Sequence, residues 1–377
     1  MTWTYRQPVK IEFGQGVLSR LPAVLEGLGI SRALLVTSPS FVKRGLVGSL
    51  LDDCRGAVCG VYSEVSPNPD VAQCDACSAM LRDLSCDGVV ALGGGSVIDC
   101  AKAASVFSLS GRPASDYLAT GESIPARHLP LVAVPTTSGT GSEVTSVSVL
   151  SDHARGIKAP MAADSFFPAV ALVDPDLTLT VPPRMTAITG FDALCHAVEA
   201  YWSRNHQPVC DALAVEAART LLSKIAAAVA RPGDTGARCA MSQGSLMAGL
   251  AFALPKTSAP HACSYPLTNL LGIPHGEACA LTLDWFIRLN AARGDRRTAE
   301  LATLLGFASP DALADEIVRL KKLTGLRTDL RDLALGDDAV ERLEPASESG
   351  QQSRGCQPRR SAPDVRRSCN VSLKRIP

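Results

Sequence analysis

The feature that most constrains this chain is an alternation. In the first half, short runs of β-branched and aliphatic residues end in polar or glycine-rich turns and give way to helical patterns: "RALLVTS" (32–38), "GAVCGVYSEV" (56–65) and "DGVVALGGGS" (87–96). Strands separated by helices pair in parallel, because the crossover needs a helix, so the pattern predicts a parallel sheet covered by helices. "HLPLVAVPTTSGTGSE" (128–143) repeats the strand-then-glycine pattern, and "AVALVDPDLTLTVPP" (169–183) closes this part with a Pro-rich connection. From Thr186 the character changes to long Ala- and Leu-rich helices such as "GFDALCHAVEAYWS" and "CDALAVEAARTLLSKIAAAVA". The reading is an α/β domain over 1–182 and a helical domain over 183–343, with the boundary at Pro182–Pro183.

Composition excludes several classes of function. Lys+Arg and Asp+Glu are both 37 in 377 residues, so net charge calls for neither nucleic acid nor an acidic membrane. No apolar run is long enough to cross a bilayer, and "MTWTYRQPVKIEFGQG" lacks a signal peptide's apolar centre, so the expected setting is the cytoplasm. Thirteen cysteines without a framework read as reduced thiols, and the lone CxxC at Cys74 and Cys77 reads as a buried helix face. From Pro345 onward there are seven basic and two acidic residues. With little apolar periodicity, 344–377 reads as an atypical, irregular tail, from either a frameshift or a divergent ending.

Two turns carry the chemistry of the first half. In "VVALGGGSVIDCAKAASV" three glycines and a serine lie between a buried strand and a helix. Glycines let backbone N–H groups approach a ligand, and a helix N-terminus favours phosphate, so this is a pyrophosphate cradle or a purely structural turn. "PTTSGTGSEVTS" adds the hydroxyls of Thr136, Thr137 and Ser138 beside Gly139 and Gly141, and the two loops are expected to converge at one sheet edge.

The second half concentrates histidine. Asp192 and His196 in "TGFDALCHAVEAY" are four apart on a helix and share one face, which suits either a divalent metal or a local hydrogen bond. His261 and His275 in "HACSYPLTNLLGIPHG" tilt the reading: three imidazoles and a carboxylate can hold a metal while leaving a position for a substrate oxygen.

"GGGSVIDCAK", "PTTSGTGSEVT", "DPDLT", "GFDALCHAVEAY" and "PHGEACAL" occur in the order and spacing of the iron-containing, group III alcohol dehydrogenases, which the chain resembles from about Phe13 to Gly336. The resemblance implies a Rossmann-like N-terminal domain, an all-α C-terminal domain in a dehydroquinate synthase-like fold, and a nicotinamide cofactor in the cleft between them. It implies metal ligands at Asp192, His196, His261 and His275, with Fe2+ expected and Zn2+ compatible. Gly94, Gly95, Ser96, Asp99, Thr136, Thr137, Thr145 and Lys158 would contact the dinucleotide. Where many members have a histidine four residues after the third ligand, this chain has Tyr265, a candidate proton donor. Where NAD-preferring members carry an aspartate after the second strand, it has Ser38, which should admit NADPH as well as NADH.

"KTSAPHACSYPLTNLLGIPHGEACALTL" resembles the branch that reduces phosphonoacetaldehyde to 2-hydroxyethylphosphonate in phosphonate antibiotic biosynthesis. Lys256 and Thr257, with Ser258, would then meet the phosphonate; the alternative for Lys256 is a solvated helix end. The expected enzyme is a metal-dependent reductase of a small aldehyde, acting as a homo-oligomer, a dimer by expectation. Its rivals are an alcohol or diol dehydrogenase of other specificity and a dehydroquinate synthase-like carbon–oxygen lyase.

Overall fold

The strand runs of the first half are buried because both faces of the sheet are covered. "ALLV", "GVVALG", "LVAVP" and "VALV" are buried at every position, the mark of a parallel sheet between two helical layers. The structure, a computed structural model, describes residues 2–330 apart from Arg44 and Arg55. It divides into one unit over Arg6–Thr180 and another from Val181 onward, which the first few residues join. The tail expected to be irregular, 344–377, lies outside the described residues.

The strands of the first unit are β1 (Lys10–Phe13), β2 (Ala33–Val36), β3 (Val58–Tyr62), β4 (Gly88–Gly93), β5 (Leu131–Pro135), β6 (Val147–Asp152), β7 (Ile157–Ala162) and β8 (Val170–Val173). Six form a sheet in the order β1-β8-β5-β4-β2-β3, every pair parallel, while β6 and β7 make a separate antiparallel hairpin. The helices are α1 (Leu21–Gly27), α2 (Pro39–Lys43), α3 (Leu46–Asp53), α4 (Val71–Asp83) and α5 (Gly95–Phe107). Side chains alternate across the sheet. Leu34, Val36, Val89 and Ala91 pack on α4 and α5, where Cys74 and Cys77 are fully buried, while Ala33, Leu35, Val90 and Leu92 pack on α1 and α3. The chain leaves β2 outward to β3 and leaves β4 in the opposite direction to β5, so strand order reverses beside β4. Open parallel sheets bind ligands outside the strand C-termini at such a switch point.

The second unit is helical among its described residues: α6 (Pro183–Trp202), α7 (Pro208–Ala230), α8 (Thr235–Phe252), α9 (Ala259–Leu271), α10 (His275–Ala292), α11 (Arg296–Leu304) and α12 (Pro310–Leu323). Their starts are written locally. Gln207, Asp234, Asp295 and Ser309 accept backbone N–H bonds at the first turns of α7, α8, α11 and α12, and prolines occupy first-turn positions where no N–H is needed. The core gathers Phe191, Leu194, Val198, Leu221, Ile225, Ile287, Leu301 and Ile317. Among the described residues ten cysteines are free, and Cys263 departs from the all-thiol expectation in being disulfide-bonded.

Candidate metal and cofactor sites

The histidines converge because successive helices begin at them. Gly272, in the left-handed conformation at φ 65°, ends α9, and Pro274 precedes His275, the first residue of α10. His261 lies in the first turn of α9, and Asp192 and His196 lie one turn apart on α6. The close approach of α10 to α6 needs Gly276: a Cβ there would lie 2.1 Å from the Ile188 carbonyl oxygen and 2.9 Å from Asp192 Cβ. The glycine of "PHG" therefore brings His275 within reach of Asp192.

The donor atoms face one another. His261 Nε2 lies 2.9 Å from His196 Nε2 and 3.7 Å from Asp192 Oδ1, and His275 Nε2 lies 3.8 Å from that same oxygen. The opposite ring edges are held. His261 Nδ1 meets Glu199 Oε2 in a short contact, and Glu199 Oε1 also accepts from the Ser258 N–H and hydroxyl at 2.7 and 3.0 Å. Ser264 Oγ donates to the His261 carbonyl at 2.7 Å and so accepts from His275 Nδ1 at 3.2 Å. With each Nδ1 donating, each Nε2 presents a lone pair, the tautomer a metal requires.

The surroundings act differently on the three rings: burial lowers His261 and His275, but their anionic neighbours, Cys279 foremost, raise both above the ordinary imidazole value. Burial pushes the His196 imidazole down to about 4, so it is neutral at pH 7, and its ring stacks on Phe252 at 4.1 Å. Burial opposes charge on Asp192, yet the three imidazoles, His196 foremost, hold its carboxyl well below the ordinary carboxylate range. Asp192 Oδ1 and His196 Nδ1 are nonetheless buried without a hydrogen-bond partner. Bare lone pairs and an unpartnered carboxylate oxygen turned on one point would cost several kcal/mol without a cation, so the donor set fits a divalent ion. Sequence reasoning missed two members of this cluster. Glu199 repeats the Asp192 and His196 face at i+7 and i+3, and Cys279 stands four residues after His275, its Sγ 3.9 Å from His275 Nε2.

In the first unit the two glycine loops meet. Gly94 caps α5, and a Cβ on Gly95 would lie 2.7 Å from Thr140 Cγ2, while one on Gly94 would lie 3.1 Å from Thr137 Oγ1. The approach is tightest at Gly95, where a side chain would force Thr140 to shift. Ser96 Oγ accepts from the Asn68 N–H at 3.3 Å, and Lys158, on β7, donates to Asn68 Oδ1 at 2.8 Å, so these three gather at the start of α5. Ser38 follows β2 and shares a 2.9 Å hydroxyl contact with Ser40. Thr136 is buried, its N–H on the Gly93 carbonyl at 3.0 Å.

Two of the expected cofactor contacts, Asp99 and Thr145, also make hydrogen bonds within the protein. Asp99 accepts from Ser142 Oγ at 2.5 Å and Val149 N at 3.0 Å, which ties α5 to the second loop. Thr145 receives the fully buried ammonium of Lys102 on its carbonyl at 2.8 Å and its hydroxyl at 3.2 Å, and Val147 O accepts from the same ammonium at 2.8 Å. Both side chains hold the loops in shape.

Near the metal cluster, Tyr265 stands four residues after His261 on α9, its ring 6.4 Å from that of His275, and burial raises its phenol. Lys256 follows α8 in a left-handed conformation, φ 68°, and its part-buried ammonium, whose pKa burial lowers below the ordinary lysine value, donates to the Ala253 carbonyl at 2.9 Å. Thr257 comes next. The Ser258 hydroxyl is already used, donating to Glu199 and accepting from Trp202 Nε1 at 2.9 Å.

A family model described as iron-containing alcohol dehydrogenase matches residues 8–175, and that family's C-terminal model matches 186–359, running past residue 344. The chain belongs to the iron-containing alcohol dehydrogenases. It is therefore an oxidoreductase of that family, with the family's parallel-sheet and helical architecture. A sulfoacetaldehyde reductase from Bifidobacterium kashiwanohense, solved in complex with NAD+, superposes with a TM-score of 0.89 at 48% identity, covering 92% of each chain. A 1,3-propanediol oxidoreductase superposes with the same TM-score at 30% identity, over 99% of this chain and all of the other. Long-chain-alcohol dehydrogenase 1 of Geobacillus thermodenitrificans is 41% identical over 78% of this chain and 75% of its own length. No described helix is long and apolar enough to cross a membrane.

Proposed function

We propose that this dehydrogenase reduces a short aldehyde with an acidic head group, phosphonoacetaldehyde foremost, using NADH or NADPH and a divalent ion, iron or zinc, held by Asp192, His196, His261 and His275. The carrying observation is the buried Asp192 oxygen without a hydrogen-bond partner, ringed by imidazole nitrogens. For the acidic head group, support comes from the 48% identity to a reductase of sulfoacetaldehyde, a two-carbon aldehyde ending in an anion. The product would be 2-hydroxyethylphosphonate, which places the enzyme in phosphonate antibiotic biosynthesis; a cytoplasmic setting and a homodimer belong to the same proposal.

When bound, the ion supplies Lewis-acid stabilisation of charge at the aldehyde oxygen and the nicotinamide supplies hydride. The chain's own part is positional. Glu199 and Ser264 fix the imidazoles, and the glycine loops with Ser96 and Lys158 receive the pyrophosphate of the dinucleotide. Tyr265, kept protonated by burial, is the candidate donor to the nascent alcohol. Lys256 is the candidate cation for the head group, its ammonium leaving the Ala253 carbonyl to pair with the substrate anion.

Steady-state kinetics with phosphonoacetaldehyde, sulfoacetaldehyde and acetaldehyde, each with NADH and NADPH, tests the reading. The acidic aldehydes should be preferred, and Lys256→Ala should lower kcat/KM on them about a hundredfold while sparing acetaldehyde. Equal losses would make Lys256 structural, and indifference to both anions would remove the proposed substrate. A lyase of the dehydroquinate synthase type would turn over none of these aldehydes at the expense of reduced cofactor.

A further inference from the structure

The metal reading leaves Cys279 unexplained. It lies on α10 one turn after His275, fully buried, and its Sγ joins a carboxylate oxygen of Asp192 and a ring nitrogen each of His261 and His275 in a group whose atoms all lie within 4.8 Å of one another. Cys279 also packs in the helical core, a role that a small apolar residue would fill without sulfur. Gly276 and Ala280, on the same helix, show that small residues suffice where α10 passes α6, and the position could hold an alanine without losing the helix. Sulfur turned toward His275 Nε2 at 3.9 Å, beside a carboxylate oxygen that has no hydrogen-bond partner, is instead a donor facing a donor cluster.

We infer that Cys279 is a further metal ligand, so that this chain's centre combines a carboxylate and imidazoles with a thiolate. The inference rests on the proposed metal site and adds to it. Binding converts the thiol to a thiolate with release of one proton, and the sulfur lone pair forms the bond to the ion; no oxidant is needed. A soft donor added to nitrogen and oxygen favours zinc and cobalt over magnesium or manganese, and favours them more than the same site without sulfur would.

Cobalt is the probe. The purified full chain is stripped with chelator, reloaded with Co2+, and analysed for bound cobalt and near-ultraviolet absorption. Wild type should bind one cobalt per chain with a sulfur-to-cobalt charge-transfer band. Cys279→Ser and Cys279→Ala should lose that band and hold Co2+ at least about tenfold more weakly, while Cys195→Ser, which removes a neighbouring buried thiol, should keep it. Circular dichroism shows whether each variant keeps its helices, and two replacements of different polarity guard against one that misfolds. Stoichiometric cobalt without the band, or a band that survives both substitutions, overturns the ligand role of Cys279 while the metal site stands. Wild type that binds no cobalt overturns both.

Discussion

The glycine-loop crevice and the histidine cluster are both built for ligands, yet they treat their own polar groups in opposite ways. Around the loops the buried charges are satisfied from within: Asp99 by Ser142 and Val149, and Lys102 by Thr145 and Val147. Around the histidines, Asp192 Oδ1 and His196 Nδ1 are left without partners. A dinucleotide comes and goes, so its cradle must keep its shape empty and can offer backbone N–H groups that water also satisfies. A tightly held ion can complete the site that holds it, so the Asp192 oxygen that faces the imidazole nitrogens is left bare for it.

The sharpest way to break the contrast is steric. Gly276→Val should displace α10 from α6, because the overlap is with the Ile188 backbone oxygen and no flexible side chain can yield. Loss of bound metal and a clear fall in melting temperature are expected, beyond the roughly 1–3 kcal/mol of ordinary overpacking. Near wild-type metal content in this variant would show that the helices can separate without cost to the site.

On the other side of the comparison, Lys102→Met keeps the bulk but leaves the Thr145 and Val147 carbonyls without this donor. It should destabilise the protein by about 3 kcal/mol in denaturant unfolding and weaken cofactor binding, with metal content unchanged. A loss of metal instead would show that the two sites are not independent.

Glu199→Gln is a gentler probe of the histidine cluster. The amide can still accept at one atom, but it no longer offers a carboxylate to His261 Nδ1, so metal affinity should fall about tenfold to a hundredfold. Titration with a competing chelator measures this. The smallest effect belongs to the crevice: Ser38→Asp should shift preference toward NADH by repelling a 2′-phosphate, without changing stability. A wild-type enzyme that ignores NADPH would mean Ser38 is not at the adenine ribose.

How much was legible follows from the same contrast. Strands β2, β4 and β5 could be read because burial on both faces leaves continuous apolar runs, and the glycine loops because of their spacing after a strand. Strand β1, with one buried residue in four, and the β6–β7 hairpin, whose turn "HARG" lacks a usual hairpin dipeptide, gave no comparable signal. Asp192, His196, His261 and His275 stand out by residue type and spacing as well as by the family resemblance, and the structure brings them together. Glu199 and Cys279 lie in quoted motifs but carry no assignment; the partner of Glu199, His261, comes from another helix, and a buried cysteine one turn after a histidine reads as core. Lys102 carries no assignment from sequence, since the carbonyls that hold it lie more than forty positions away.

The central claim is that the histidine cluster holds the ion on which turnover depends. Elemental analysis of the purified chain beside a His261→Ala, His275→Ala double variant tests it most directly. One iron or zinc per wild-type chain, little or none in the variant, and lost aldehyde reduction with an intact helical spectrum are expected. Full metal occupancy in the double variant would mean that these histidines are structural and that the ion lies elsewhere.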